Sequence, residues 1–168
     1  DPIVRESYNP AGFNIGVNAT VFFTSSATVT SAAVLNIDAS GNPSQIFGKL
    51  IGTSDTKLGT AAPIPGVGGG AAPIIFVANA NGIIVGPTGQ IQAPNGVGLL
   101  GANMNTSLAI NEFVANNGAL TSYLDVQTLS SKTVDVQGFI DGGIGPLLSN
   151  VPAKFIMLVG GDIVNSGN

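Results

Sequence analysis

The residues able to do chemistry in this 168-residue chain are few. Asp135, Asp141 and Asp162 form an acidic series in the second half, and a polysaccharide-cleaving site would need such carboxylates clustered around a sugar or a cation. Their spacing instead suits turns and exposed strand faces, so no catalysis and no metal site is expected. There is no His, no Cys and no Trp. Their absence removes imidazole bases, Ser-His-Asp triads, thiolate nucleophiles, disulfides, iron–sulfur clusters and thiolate zinc sites. No cofactor is expected, and the chain does not read as an enzyme. The five basic residues, Arg5, Lys49, Lys57, Lys132 and Lys154, are scattered in a chain of net charge −4, which argues against nucleic-acid binding. The group that stands out is Asn79-Ala80-Asn81-Gly82. It reads as a tight turn in which Asn79 bonds its own backbone and Asn81 or Gly82 takes positive φ.

The elements that position such a turn are short. Val, Ile, Thr and Phe fill the apolar positions, and Gly or Asn punctuates them. Strands are expected at Thr20–Thr24, Ala32–Ile37, Ile46–Leu50, Ile74–Ala78, Ile83–Val85, Gln90–Ala93, Gly98–Asn103, Leu124–Leu129, Thr133–Gln137 and Phe155–Val159. Ser107–Asn117 reads equally as a short helix or a tight loop. Residues 53–73, with three consecutive Gly and several Pro, cannot sustain a central strand and are expected to protrude from the core as a loop, mobile at its tip. Residues 1–12 are polar and Pro-flanked, an N-terminal arm or cap. Asn36, Asn103 and Asn105 are expected at turns, and Phe13, Phe22, Phe23, Phe47 and Phe76 in the core or a cap.

Short strands at close spacing indicate a sandwich, a barrel or a solenoid. Leu124-Asp125-Val126-Gln127 is echoed by Val134-Asp135-Val136-Gln137, and Gly or Asn falls at nearly every corner. These features favour an all-β single domain built as a parallel β-helix, with rungs at the strand spacing of about 4.8 Å. At about 20 residues per coil the chain would make roughly seven or eight coils. A β-sandwich of the same length is the competing reading. The most apolar runs extend about five to seven residues, against about 20 for a spanning helix. Only 8% of residues are charged, which together with the absence of Cys fits an exported bacterial surface protein. Asp1 opens the chain without a basic, apolar leader, as in a mature form whose leader has been removed.

From Phe13 to about Asn117 the chain resembles the secretion domain of filamentous haemagglutinin-type proteins, the amino-terminal domain of two-partner secretion exoproteins. The resemblance begins at Phe13-Asn14-Ile15-Gly16 and Thr20-Val21-Phe22-Phe23. It continues through Val34-Leu35-Asn36 and Asn42-Pro43-Ser44-Gln45-Ile46-Phe47-Gly48-Lys49-Leu50. Its most specific piece is Ile75-Phe76-Val77-Ala78-Asn79-Ala80-Asn81-Gly82-Ile83-Ile84-Val85-Gly86-Pro87. Gly98-Leu99-Leu100-Gly101-Ala102-Asn103 resembles the family's Gly-Leu-Val-Ala-Ser-Thr run. Position 80 is Ala where the family usually has Pro. The resemblance implies a right-handed parallel β-helix with short extra-helical strands. It implies passage through the periplasm of a Gram-negative bacterium and recognition, while extended, by the periplasmic domains of an outer-membrane barrel transporter. Folding would then follow outside the cell as the start of a secreted or surface adhesin with its own receptor. The Asn79–Gly82 turn would lie in the recognised segment. A second function reading is a filament subunit, self-associating by end-to-end stacking or strand exchange.

Overall fold

A computed structural model describes residues 3–9, 12–25, 31–53, 72–104, 111, 113–115, 126–129, 132–141 and 154–167. The protein is all-β. In chain order its strands are β1 (Ile3–Asn9), β2 (Thr20–Thr24), β3 (Ala32–Asp38), β4 (Ser44–Ile46), β5 (Lys49–Thr53), β6 (Ile74–Asn79), β7 (Ile83–Val85), β8 (Gln90–Gln92), β9 (Val97–Leu100), β10 (Ala102–Met104), β11 (Val126–Leu129), β12 (Thr133–Val136), β13 (Phe139–Asp141), β14 (Ile156–Val159) and β15 (Asp162–Asn165). Asn111 and residues 113–115 are helical, so the helical alternative holds for that part of Ser107–Asn117.

Three parallel sheets carry the chain. The first has the order β1-β3-β6-β9-β14, the second β4-β7-β12-β15 and the third β2-β5-β8-β13. From β3 to β9 the chain visits first, second and third sheet in turn, and β12 to β15 resume the same cycle. The first pass completes it too, because Ile15 forms a parallel bridge to Ile46 of β4 between β1 and β2. Register is continuous through each sheet: Val34 pairs with Ile75 and Ile75 with Val97 in the first, Gln45 with Ile84 and Ile84 with Asp135 in the second.

Strand alternation sends one set of apolar side chains inward from all three sheets. Ile15, Ile46, Ile83, Val85, Val134 and Val136 from the second sheet meet Leu50, Ile91 and Ile140 from the third and Ile75, Val77, Val97 and Leu99 from the first. The first sheet is also buried on its other face. There Leu35, Ile37, Phe76, Ala78 and Leu100 lie under Met104 and Phe113, with Phe155 and Met157 at the margin. Burial on both faces explains why β3 is buried at every position, Asn36 and Asp38 included, and opens with the apolar run Ala32–Leu35 instead of an alternation.

Several expectations are corrected. Ile46–Leu50 is two strands, broken at Phe47-Gly48, and Gly98–Asn103 is two strands, broken at Gly101. Of the echo at Leu124–Gln127, Leu124 and Asp125 lie outside the described residues, and Val126-Gln127 are not stacked on Val136-Gln137: β11 pairs antiparallel with β10, whereas β12 lies between β7 and β15 in the second sheet. Asn36 sits inside β3, buried, and Asn103 inside β10, not at turns, while Asn105 lies outside the described residues. Among the described residues the largest parallel stack has five strands, where seven or eight coils are expected. Ile75 and Val97 are 22 residues apart, but Ala33 pairs with Ile74 across residues 53–73, and Val97 pairs with Ile156 across the β10–β11 ribbon. Thr53 is the buried last residue of β5, and residues 54–71 lie outside the described part. Within residues 1–12, Ile3–Asn9 is the edge strand β1, paired in parallel with β3.

The corner between second and third sheets is glycine by necessity. A Cβ at Gly48 would strike the carbonyl oxygens of Gly16 and Ala19. The same holds one layer on at Gly89, against Ile46 O, and again at Gly138, against Gly89 O. Three of these carbonyls face the corner because they accept stacked backbone bonds: Lys49 N donates to Ala19 O (2.9 Å), Gly86 N to Ile46 O (2.9 Å) and Phe139 N to Gly89 O (2.9 Å). Gly48→Ala is therefore expected to destabilise the protein by at least about 2 kcal/mol, since backbone rather than a flexible side chain must give way. Urea unfolding measures it, and Gly41→Ala, where no atom lies within 4 Å of the added Cβ, is the comparison for a purely conformational cost at φ +83°.

Candidate functional site

The turn Asn79-Ala80-Asn81-Gly82 joins β6 of the first sheet to β7 of the second. Asn79 is buried, and all its side-chain polar atoms are used. Its Oδ1 accepts from the Asn81 backbone N (2.8 Å), closing an Asx turn. Its Nδ2 donates to Asn42 O (2.8 Å) and to Ser44 Oγ (2.9 Å), both on the preceding layer. Gly82 N donates to Asn79 O (3.1 Å), and Gly82 O accepts from Ser44 N (3.1 Å). Gly82 has φ +101°, and a Cβ there would come within 2.7 Å of Thr133 O in the next layer. The turn is thus tied to the layers on both sides.

Sequence reasoning found this turn but missed its partner. Asp38, the residue in register with Asn79, ends β3 as Asn79 ends β6. It is buried, and its Oδ2 accepts from Ser44 Oγ (2.6 Å) and from Phe13 N (2.8 Å), while Oδ1 accepts from Ser40 N (2.9 Å). Burial alone would raise the Asp38 carboxyl. The hydrogen bonds from Ser44, Phe13 and Ser40 outweigh it and hold the group below its ordinary value of 3.8. Ser44 Oγ stands between the two, donating to Asp38 and accepting from Asn79. The available signal was the shared pattern of an apolar strand ending in an Asx residue: Val34-Leu35-Asn36-Ile37-Asp38 and Ile75-Phe76-Val77-Ala78-Asn79.

The arrangement is a polar clasp, with no group poised to take or give a proton at neutral pH. Beside it a cavity of about 230 Å³ is lined by Ile37, Ala78, Ala80, Asn81, Asn103 and Met104 among others. The acidic series does not converge: Asp135 lies mid-strand in β12, accepting from Gln137 Nε2 (2.6 Å), Asp141 ends β13 in the third sheet, and Asp162 opens β15. Among the described residues no group of three or more acidic side chains is placed to hold a metal ion, and no described helix is long and apolar enough to cross a membrane.

Asn79→Ala removes the Asx turn, leaves Ser44 Oγ without its donor and leaves Asn42 O with the long bond from Ser40 Oγ (3.4 Å). The expected loss is about 2–3 kcal/mol in urea unfolding, and Asn79→Asp should not rescue it, because a carboxylate cannot donate to Asn42 O. Compared with known proteins, the chain matches no family model, no curated protein and no solved structure.

Proposed function

We propose that this chain is a non-catalytic secretion-type domain, folded as a right-handed parallel β-helix. It is handed in extended form to the periplasmic domains of an outer-membrane barrel transporter, and folds outside a Gram-negative cell as the nucleus of a surface adhesin. The observation that carries the reading is the parallel register running through three sheets that the chain visits in a fixed cycle. Parallel connections of this kind are right-handed in about 98% of cases. The Asn79–Gly82 turn, at the corner where the resemblance is most specific, adds support. So does the chain's chemistry, with few charges to move through a pore and no Cys to cross-link in an oxidising compartment. Apolar β-forming segments in an extended chain offer backbone for strand addition to a transporter domain.

The test is secretion. The chain is expressed behind a signal peptide in a Gram-negative host, with and without an outer-membrane transporter of the two-partner type. Release to the medium only in its presence is expected, and equal release in its absence would overturn the reading.

A filament subunit is the second reading, favoured by the far end of the stack. Among the described residues the strands β13, β14 and β15 each pair on one side only, and Phe139, Ile156, Ile163 and Val164 on them are exposed. Electron microscopy at high protein concentration separates the two, with fibres supporting the filament and monodisperse particles the secretion domain.

A further inference from the structure

The sequence holds three Asn-Gly pairs; Asn117-Gly118 lies outside the described residues, and the other two lie at turns of the first sheet, Asn81-Gly82 after β6 and Asn95-Gly96 before β9. An Asn followed by Gly is the most labile setting for self-modification, because a glycine amide nitrogen carries no neighbouring Cβ to hinder its approach to the asparagine Cγ. Both glycines here are held the same way. Gly82 has φ +101°, its N donates to Asn79 O (3.1 Å) and its O accepts from Ser44 N (3.1 Å). Gly96 has φ +123°, its N donates to Ala93 O (2.9 Å) and its O accepts from Ile75 N (3.1 Å). The leaving amides are engaged as well: Asn95 Nδ2 donates to Ala72 O (2.5 Å), and Asn81 Nδ2 lies 3.4 Å from Asn79 Oδ1.

We infer that Asn81 is a site of spontaneous deamidation that is open in the unfolded chain and closed by folding, and that its reaction removes the chain from the pool able to fold. In the reaction the Gly82 backbone N gives its proton to water or hydroxide and bonds to Asn81 Cγ. The Cγ–Nδ2 bond breaks, and Nδ2 takes a proton and leaves as ammonia. Water then opens the cyclic imide at either carbonyl, giving aspartate or isoaspartate at position 81. Attack requires rotation of the Asn81–Gly82 peptide plane, which breaks the bond from Gly82 N to Asn79 O and disturbs the adjoining Gly82 carbonyl that accepts from Ser44 N. The folded turn forbids that rotation. The isoaspartate product carries an extra main-chain carbon inside a turn held on both sides by neighbouring layers, so it cannot restore the pairing of Ser44 with Gly82. The inference holds for this chain whatever its export route, and adds a chemical limit to the time it can remain extended.

Peptide mass spectrometry with isoaspartate detection tests this on the full chain kept in mildly alkaline buffer, native and in urea. Conversion at Asn81 is expected at least about tenfold faster in urea, the suppression a locally closed structure imposes on a reaction needing opening. Asn42, followed by Pro43 with no amide proton to lose, is the internal zero. Equal rates in both states would overturn the protection. The chain modified at position 81 is then separated by ion exchange followed by reversed-phase chromatography, its site and linkage assigned by peptide mass spectrometry, and diluted from urea. Failure to regain the native circular-dichroism spectrum and urea midpoint is expected for the isoaspartate form, and full recovery would overturn the claim that modification removes it from folding.

Discussion

Phe76→Ala is expected to be among the most destabilising single changes in the protein, about 3–5 kcal/mol in urea or thermal unfolding. Phe76 is fully buried on the outward face of the first sheet, between the edge of the Phe113 ring (centroids 6.1 Å apart, 88° between planes) and the stacked Phe155 ring (6.2 Å, 24°). Its strand neighbour across the ladder is Gly98, and a Cβ at Gly98 would run into the Phe76 ring. The ring lies in the space that glycine leaves, an aromatic covering a glycine in the next strand. Truncation at Phe76 therefore opens a cavity beneath two other rings and uncovers a flexible strand residue at once. Gly98→Ala alone should cost about 1–3 kcal/mol by overpacking. The pair gives the sharper check. In Gly98→Ala/Phe76→Leu the added methyl occupies space the ring has left, so the double variant should be more stable than the sum of the two single losses predicts. Simple additivity would show that the ring and the glycine do not share one site.

That prediction rests on a face the sequence only half reveals. Ile75 and Val77 announce an inward-facing strand by alternation, but Phe76 and Ala78 between them are buried too, under Met104 and Phe113 from a ribbon and a helical segment that no local pattern ties to β6. The legible strands were those whose ends carry turn chemistry of their own. Thr20–Thr24 and Ile83–Val85 are bounded as the residues indicate, the latter by Gly82 and Gly86. Strands drawn in by register alone were missed. Ile3–Asn9 interrupts its strand-forming Ile3, Val4 and Tyr8 with Arg5-Glu6-Ser7, so no alternation marks a strand there; parallel pairing to β3 fixes it. Phe139–Asp141 and Asp162–Asn165 are likewise too short and polar to stand out, and each is fixed by an earlier strand already in place. The breaks at Gly48 and Gly101 escaped because a corner of one or two residues leaves no run of polar turn formers. Only the stacked carbonyls of the layer beneath Gly48 reveal why glycine is required there.

At the candidate site, the turn was readable and the clasp was not, because a side chain reaching a partner 35 or 37 residues away leaves no mark in local spacing. Asp38 is the member whose loss should be felt most. Its carboxylate satisfies Phe13 N, Ser40 N and Ser44 Oγ, and Asp38→Ala would leave these donors without an acceptor in a buried corner while freeing the first pass of the chain from the second. The expected cost is about 3–4 kcal/mol, with Asp38→Asn recovering about half of it by keeping one acceptor oxygen. Charge gives the distinguishing signature. Because the folded protein holds the carboxyl below its ordinary value of 3.8, the unfolded chain takes up the proton first as acid is added. The stabilisation by Asp38 is therefore complete at neutral pH, declines as pH falls below the ordinary aspartate range, and is gone once the folded carboxyl is itself protonated. Urea midpoints measured from neutral pH down into the acid limb should fall less steeply in Asp38→Asn than in the parent, so that the two stabilities converge at low pH. Parallel acid limbs would mean that the charge contributes nothing beyond its hydrogen bonds. A gap that widened in acid would reverse the sign of the linkage and remove Asp38 as the ionised centre of the clasp.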